Sequence, residues 1–314
     1  MVQNRDTGDE VKGPLVYLLV LNYGSPEDCI ECIDAVRRVN YHSMRLLVID
    51  NASPDNSVDQ LRPILQPDEF LVLPRNTGYA GGNNEGIRIA LANDADYINI
   101  MNPDVRITPE SVSNYVAVME NDRSISALNP IQLAADGDRM DKIFQREMFE
   151  YNDHETPSLP VTSQQIWEVR TLFGAALLLR RSTVEKVGGF DPLYFAYWEE
   201  VDLCRRIKFH GGRLVVTAAE PVRHLRNYKN PRDPFRRYLR LKGMYLFQLK
   251  DQRRSYPGLL YRKLKELAKN VLRPNNGGFN WCRSDYLRVL WWCVRHANQI
   301  RLHRKLDRQG RAYE

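Results

Sequence analysis

Three carboxylates within four residues, Glu199, Glu200 and Asp202, follow an aromatic lead-in of Tyr194, Phe195, Tyr197 and Trp198. Acidic residues in a first helical turn complement the helix dipole, which is the plain structural reading. The aromatic lead-in adds a chemical one. A carboxyl group sheltered from water has a raised pKa, closer to that of a working base. Glu199, Asp202 and Arg206 share one face of the expected helix, and Glu200 points elsewhere. Glu199 and Asp202 are therefore expected to be partly structural and Glu200 to face a substrate. Asn102-Pro103-Asp104 is a second candidate. A hard cation bound to diphosphate oxygens needs only one or two protein carboxylates, and Asp104 can supply one; the same residues also suit an ordinary Asx turn. His224, near the end of a strand, is a candidate further ligand, although a lone His is as readily a packed residue.

Strands and helices must hold these groups. Short apolar runs at 16–21, 45–49, 70–73 and 97–101 read as strands, with helical segments at 26–39, 57–65 and 83–92 between them. In the first helix Cys29, Cys32, Ile33 and Val36 form one buried stripe. This alternation, with near-continuous apolar strands, implies a parallel sheet covered by helices. Further strands are expected at 126–133, 171–179 and 213–217, and a helix at 199–209. The polar stretch 134–165 lacks periodicity and is expected to be a long, mobile excursion. Beyond His224 come basic helices at 234–249, 259–271 and 285–300. The expected organisation is a flexible tail at 1–13, an α/β domain over 14–225 and a basic helical region over 226–314.

Open α/β sheets bind ligands beyond the carboxyl ends of their strands. Four successive strands here end in polar residues: Asn22-Tyr23-Gly24, Asp50-Asn51-Ala52-Ser53, Arg75-Asn76-Thr77-Gly78 and Asn102-Pro103-Asp104. One such end is loop chemistry; four facing one edge make a site. The third continues through Gly78, Gly81, Gly82, Asn83 and Gly86 into a helix, where glycines permit close backbone approach and the N-terminus favours an anion. A structural turn explains these glycines equally well. They do not spell G-x-G-x-x-G and do not follow the first strand, which disfavours a NAD-dependent oxidoreductase. Asp50 suits a base or ribose, or else caps the turn that follows.

Composition narrows the classes. With 314 residues, 43% hydrophobic and 27% charged, the chain is an ordinary globular mixture. Five Cys and a polar, acidic N-terminus unlike a signal peptide point to a reducing compartment. Cys29 and Cys32 have no second pair, so zinc is not expected. No apolar run approaches the roughly 18 residues of a membrane span. The net charge of +6 conceals a split: residues 221–314 hold 24 Lys and Arg against six Asp and Glu, whereas residues 1–220 hold 21 against 33. Such asymmetry directs the tail to an anionic surface. A nucleic-acid-binding protein is the competing class, but no helix-turn-helix, zinc or RNA motif is present, and it leaves the polar strand ends without a purpose.

Taken together, the segments LVLNYGSPEDCIECIDAV, LLVIDNASPDNS, LPRNTGYAGGNNEGI, INIMNPDVRI and TLFGAALLLRRSTVEKVGGFDPLYFAYWEEVDLCRRI, with His224, resemble inverting glycosyltransferases of family 2. They span about residues 15–225 in the family's order, and the nearest subgroup is the rhamnosyl- and galactofuranosyltransferase-like enzymes that extend lipid-linked cell-surface glycans. The resemblance implies a GT-A fold: α/β, with a mixed, mainly parallel sheet flanked by helices, here with a basic helical extension. It implies a dTDP- or UDP-linked sugar donor contacted by Asn22, Asp50, Asn51, Asn76, Gly78, Gly82, Asn83, Asn102 and Asp104. It also implies Mg²⁺ or Mn²⁺ at Asp104 and His224, Glu200 as base beside Glu199, and an acceptor glycan near Trp198, Phe173 and Asp202. Asn102 departs from the family's Asp-x-Asp motif, which keeps a catalytically inactive scaffold as an alternative, and Glu199-Glu200 stands where many relatives have Glu-Asp or Asp-Asp. The implied location is cytoplasmic, with the basic helices against the anionic inner face of the plasma membrane, each basic residue contributing about 1 kcal/mol.

Overall fold

The computed structural model describes residues 13–161, 165–226, 233–274 and 280–313. The expected tail at 1–13 falls almost wholly outside them. The chain runs β1 (Val16–Asn22), α1 (Pro26–Val36), β2 (Met44–Asp50), α2 (Ser57–Leu61), β3 (Phe70–Val72), α3 (Gly78–Ala92) and β4 (Tyr97–Met101). It continues with β5 (Val105–Arg106), α4 (Ser111–Asn121), β6 (Ile125–Leu133), α5 (Lys142–Met148), β7 (Ile166–Glu168), β8 (Ala176–Arg180), α6 (Arg181–Val187), α7 (Glu199–Phe209) and β9 (Arg213–His224). Four further helices follow: α8 (Pro234–Leu249), α9 (Tyr256–Leu272), α10 (Arg283–Arg295) and α11 (Ala297–Gln309).

Among the described residues the strands form one nine-stranded mixed sheet in the order β3-β2-β1-β4-β8-β6-β9-β5, with β7 also on β9. Pairing is parallel from β3 to β4 and between β6 and β9; β8 runs antiparallel to both β4 and β6. Alternate residues of the strands feed two cores, as the two-residue side-chain period requires. Val16, Leu18 and Val20 pack under α1 and α4, and Tyr17, Leu19 and Leu21 under α3.

Three expectations are corrected. Within the stretch 134–165, the segment 141–149 is not a loose excursion, because Asp141 caps α5 by accepting from the Ile143 and Phe144 amides at 3.0 and 2.8 Å, and Phe144, Met148 and Phe149 are fully buried in the core. The strand expected from 171 begins only at Ala176. Asn129 instead pulls the Phe173 backbone aside, donating to its carbonyl at 3.0 Å and accepting from its amide at 2.6 Å. The helix expected over 285–300 is two helices, broken where the His296 imidazole donates to the Trp292 carbonyl at 2.8 Å and stacks on its ring.

The C-terminal helices are joined to the α/β part by a buried charge cluster. Lys250, at the end of α8, is fully buried and pairs with Asp191, with Asp202 at 2.9 Å and with Asp307 at 3.3 Å. Arg206 donates to Asp202 at 3.0 Å, and Arg205 to the other Asp202 oxygen at 2.6 Å. Burial opposes ionisation, but Lys250, Arg205 and Arg206 hold the Asp202 carboxyl far below the usual range. A buried pair has little net worth, yet removing one partner leaves an uncompensated charge. Lys250→Met keeps the volume but strips the shared cation, so it is expected to cost about 3–5 kcal/mol. Urea unfolding reads this, and an unchanged midpoint would show that the cluster carries no such constraint.

Candidate active site

Strand order reverses about β1, whose neighbours are β2 and β4, and ligands bind at such a switch point in open α/β sheets. A cavity of about 640 Å³ opens there, lined by Leu21 and Tyr23 after β1, Asn51 after β2, Asn76, Gly78 and Tyr79 at the start of α3, and Asn102, Pro103 and Asp104 after β4. Phe195, Ala196, Tyr197 and Glu199 close it from the α7 side, and α8 adds Phe235, Arg236 and Leu239.

Asn51 organises one wall. Its amide donates to Asn76 Oδ1 at 3.1 Å and to the Gly78 carbonyl at 3.0 Å, and its oxygen accepts from the Thr77 amide at 2.9 Å. Gly78 has φ +74°, and a Cβ there would overlap the Phe195 carbonyl oxygen, so only glycine allows this approach. Four of the expected donor contacts, Asn22, Asp50, Gly82 and Asn83, do not line this cavity. Asp50 is fully buried, accepting from the Ser53 amide at 2.9 Å, its hydroxyl at 2.7 Å and Asn22 Nδ2 at 2.9 Å. Its carboxylate is occupied in shaping the end of β2. Asn83 donates back to the Tyr79 carbonyl at 3.0 Å, and a Cβ on Gly82 would strike Leu21.

Sheet register brings Asp104 and His224 together: Val105 pairs with His224 in the β5–β9 ladder, and the Leu225 amide donates to the Asp104 carbonyl at 2.8 Å. His224 Nδ1 lies 3.0 Å from the side-chain amide of Gln132. Nε2 lies 3.4 Å from Asp104 Oδ1, a buried oxygen without a hydrogen-bond partner, so a proton or a cation fits between the two. Burial tends to raise the Asp104 pKa, but His224 outweighs it and holds the carboxyl below its ordinary value. Among the described residues no three His, Cys, Asp or Glu side chains cluster as a metal site; remaining ligands would have to come from the bound molecule and water, as diphosphate sites allow. Asn102 lines the cavity two residues before Asp104, its backbone amide tied to the Ala175 carbonyl at 2.9 Å.

The carboxylate pair is set by a strained turn. Phe195, Tyr197 and Trp198 have φ of 69°, 68° and 77°, conformations that cost about 1–3 kcal/mol each and persist only when their surroundings enforce them. The enforcement comes from α8. Gly243 lacks a side chain where a Cβ would lie 2.6 Å from the Tyr197 carbonyl oxygen. Lys242 donates to the Leu193 carbonyl at 2.8 Å, and Trp198 packs on Phe247 with ring centroids 5.4 Å apart. Glu199, 4% exposed, lines the cavity; Glu200, partly exposed, stands beside it, and each leaves a buried Oε2 without a partner. Burial first and then the neighbouring Glu200 charge push Glu199 well above the carboxylate range, and burial raises Glu200. Burial also pushes Lys242 down to about 8.

Asp202 is a correction: fully buried in the Lys250 cluster, it is out of a sugar's reach. Trp198 and Phe173 do not line the cavity; Phe173 meets Phe144 edge-on at 5.9 Å beneath the Arg226 guanidinium. Tyr79 went unforeseen. Its hydroxyl donates to the Gly174 carbonyl at 2.7 Å, and after burial it is Glu199, Glu200 and Asp104 that raise its pKa, so all three carboxylates surround it. Its place between Gly78 and the helical glycines was the available signal. Nothing in the sequence marked Phe235, Arg236 or Leu239, which lie far along the chain from the strand ends.

A sequence profile described as "Glycosyl transferase family 2" matches residues 17–188. A low-salt glycan biosynthesis hexosyltransferase of Haloferax volcanii is 24% identical over 206 residues, 61% of this chain and 61% of that protein. The chain thus spans about three fifths of that relative's length. An N-acetylglucosaminyl-diphospho-decaprenol L-rhamnosyltransferase of Mycobacterium tuberculosis is 28% identical over 211 residues, 60% of this chain and 69% of the relative. Among solved structures, a mannosyltransferase of Pyrobaculum calidifontis in complex with GDP-Man and Mn²⁺ superposes with a TM-score of 0.58 at 14% identity, covering 95% of this chain and 85% of that one. At that identity the likeness is one of fold: the mixed sheet with helices on both faces is of the GT-A kind.

The raised carboxyl pKa of Glu199 has a consequence for stability. The folded protein retains a proton that the unfolded chain releases, so stability falls as pH rises from the ordinary glutamate value through the raised one. Glu199→Gln removes that cost. It is expected to raise the melting temperature by a few degrees at pH 8, with the gain vanishing near pH 4. A gain independent of pH would rule out the buried charge as its cause.

Proposed function

Because this chain belongs to glycosyl transferase family 2, we propose that it transfers a sugar, rhamnose or galactofuranose, from a dTDP- or UDP-linked donor to a hydroxyl group of a glycan or polyprenyl-linked glycan. One observation carries the reading: unpartnered carboxyl oxygens of Glu199 and Asp104 belong to residues lining one cavity at the sheet's switch point, with Glu200 and His224 directly beside them. The loop pinned by Asn51 presents Asn76 and Gly78 to the donor. Asp104 and His224 are the residues that would hold Mg²⁺ or Mn²⁺ next to its diphosphate. When bound, that ion offsets the negative charge developing on the leaving group.

The acceptor oxygen bonds to the anomeric carbon from the side opposite the diphosphate. The bond from that carbon to the phosphate oxygen breaks, and the nucleoside diphosphate leaves with the electron pair. This single displacement inverts configuration. Glu200 takes the hydroxyl proton as the new bond forms, its raised pKa making it a stronger base than an ordinary carboxylate. Glu199, beside it in the cavity wall, shares the site's charge, so the two titrate as a pair. Tyr23, Phe195 and Tyr197 exclude water around the donor.

The basic helices supply the proposed location. Leu287, Trp291 and Val294 recur along one exposed face of α10, and Leu272 ends α9 exposed, amid Arg273, Arg283, Arg288 and Arg295. An apolar face rimmed by cations fits peripheral contact with an anionic leaflet on the cytoplasmic side, with Trp at the interface. No helix among the described residues is long and apolar enough to cross a membrane.

Glu200→Gln is expected to lower kcat about 10³-fold while donor affinity stays within twofold, the span of a lost general base; transfer at the unaltered rate would remove Glu200 from that role. Wild-type kcat/KM should fall as pH drops through the raised carboxyl pKa, because the base must be unprotonated. Asp104→Ala should lower donor affinity in Mn²⁺ to the level seen with chelator, read by titration calorimetry. Undiminished, cation-dependent binding would contradict the assignment.

A further inference from the structure

A second cavity, of about 830 Å³, lies along α7. The helix offers Glu199 to the donor cavity and Val201, Arg205 and Lys208 to this one, so Glu200 stands in sequence between residues of the two linings. Its lining carries six cationic side chains, Arg170, Arg205, Lys208, Arg253, Arg254 and Lys263, against the single carboxylate of Asp251. The volume is that of a small-molecule site.

Two of the residues that line this space carry a buried donor without a partner. Arg205 gives its terminal nitrogens to Asp202 and to the Phe247 carbonyl, each at 2.6 Å, yet its Nε is buried and unsatisfied. Gln252 is 6% exposed, and its Nε2 likewise has no partner. Gln248 adds an unsatisfied amide oxygen, and an amide can present either end. A buried donor left empty costs about 1–3 kcal/mol, so the arrangement is incomplete as it stands. The outer cations hold surface ion pairs: Lys208 with Glu168 at 3.3 Å, Arg254 with Asp251 at 3.4 Å, Lys263 with Glu266 at 2.8 Å and Arg170 with Asp153 at 3.5 Å. Such pairs are worth about 0–1 kcal/mol and yield to a multiply charged anion.

We propose that this cavity binds the diphosphate of the acceptor, so that the acceptor is a diphosphate-linked sugar whose hydroxyl reaches Glu200 while its anionic link rests on Arg253, Arg254, Lys208 and Gln252. The proposal rests on the sugar-transfer reading for the acceptor's identity, whereas the anion site stands on its own observations. The donor's diphosphate does not compete for this space, because its cavity is walled by Asp104 and Glu199 on the other side of the turn.

The test uses the full chain with its donor cavity filled by UDP or dTDP, titrated with inorganic pyrophosphate and, for comparison, inorganic phosphate. Pyrophosphate is expected to bind more tightly than phosphate, and Arg253→Gln with Arg254→Gln to weaken it at least tenfold. Both arginines are exposed, so the fold should survive; Lys208→Gln is the reserve variant. In transfer assays the same variants should raise KM at least tenfold for a diphosphate-linked acceptor sugar. They should leave kcat, donor KM and the KM for that sugar on a neutral alkyl aglycone within twofold. Pyrophosphate binding untouched by the substitutions, abolished by the nucleotide, or accompanied by equal KM changes for both acceptors would overturn the proposal. Variant-sensitive binding without transfer from any donor would uphold the anion site and remove the sugar-transfer reading instead.

Discussion

The buried ammonium of Lys250 is the constraint from which the rest of the site follows. Three aspartates from three separate stretches, Asp191 before α7, Asp202 within it and Asp307 on α11, converge on this one cation. With Arg205 and Arg206 the charges balance, three against three. A balanced buried cluster adds little net stability, but it tolerates only one arrangement of its members. That arrangement fixes the first turn of α7 against α8 and α11, and the first turn of α7 carries the glutamate pair.

The same contact explains how three left-handed residues can precede that turn. Positive φ at Phe195, Tyr197 and Trp198 stores strain that the local chain would release. Gly243 lets α8 come close enough to forbid the release, and Lys242 ties the Leu193 carbonyl from the same helix. The basic C-terminal helices therefore act on the site from within, as its support, besides whatever their outer faces meet.

One cavity then holds carboxyl groups of opposite character. Glu199 and Glu200 sit among aromatic and apolar groups with like charge beside them, and both are pushed up. Asp104 is partly buried too, but His224 faces it and pulls it down. Environment, with carboxyl chemistry unchanged, pushes the acidities within one cavity apart, and separating titratable groups in this way is a familiar mark of a working site.

Local pattern carried much of this architecture. The strands that became β1, β2, β4 and β6 are apolar runs that fit only a covered sheet, and the helix at 199–209 follows from its period, because burial of alternate or every third to fourth residue is written directly in residue order. The polar strand ends pointed to the sheet edge where the cavity opens for the same reason: a parallel sheet leaves its ligand face at the carboxyl ends. What residue order could not decide was which polar groups turn into the cavity. Asp50 read as a ligand contact or a turn cap and Asp202 as partly structural, but their partners, Ser53 and Lys250, three and 48 residues away, appear only in the fold. Asn51, Tyr79 and the α8 residues acquire their places only when distant segments meet. Side-chain direction at a site depends on which neighbours satisfy each charge and hydrogen bond, and those neighbours are chosen by the packing of the whole chain.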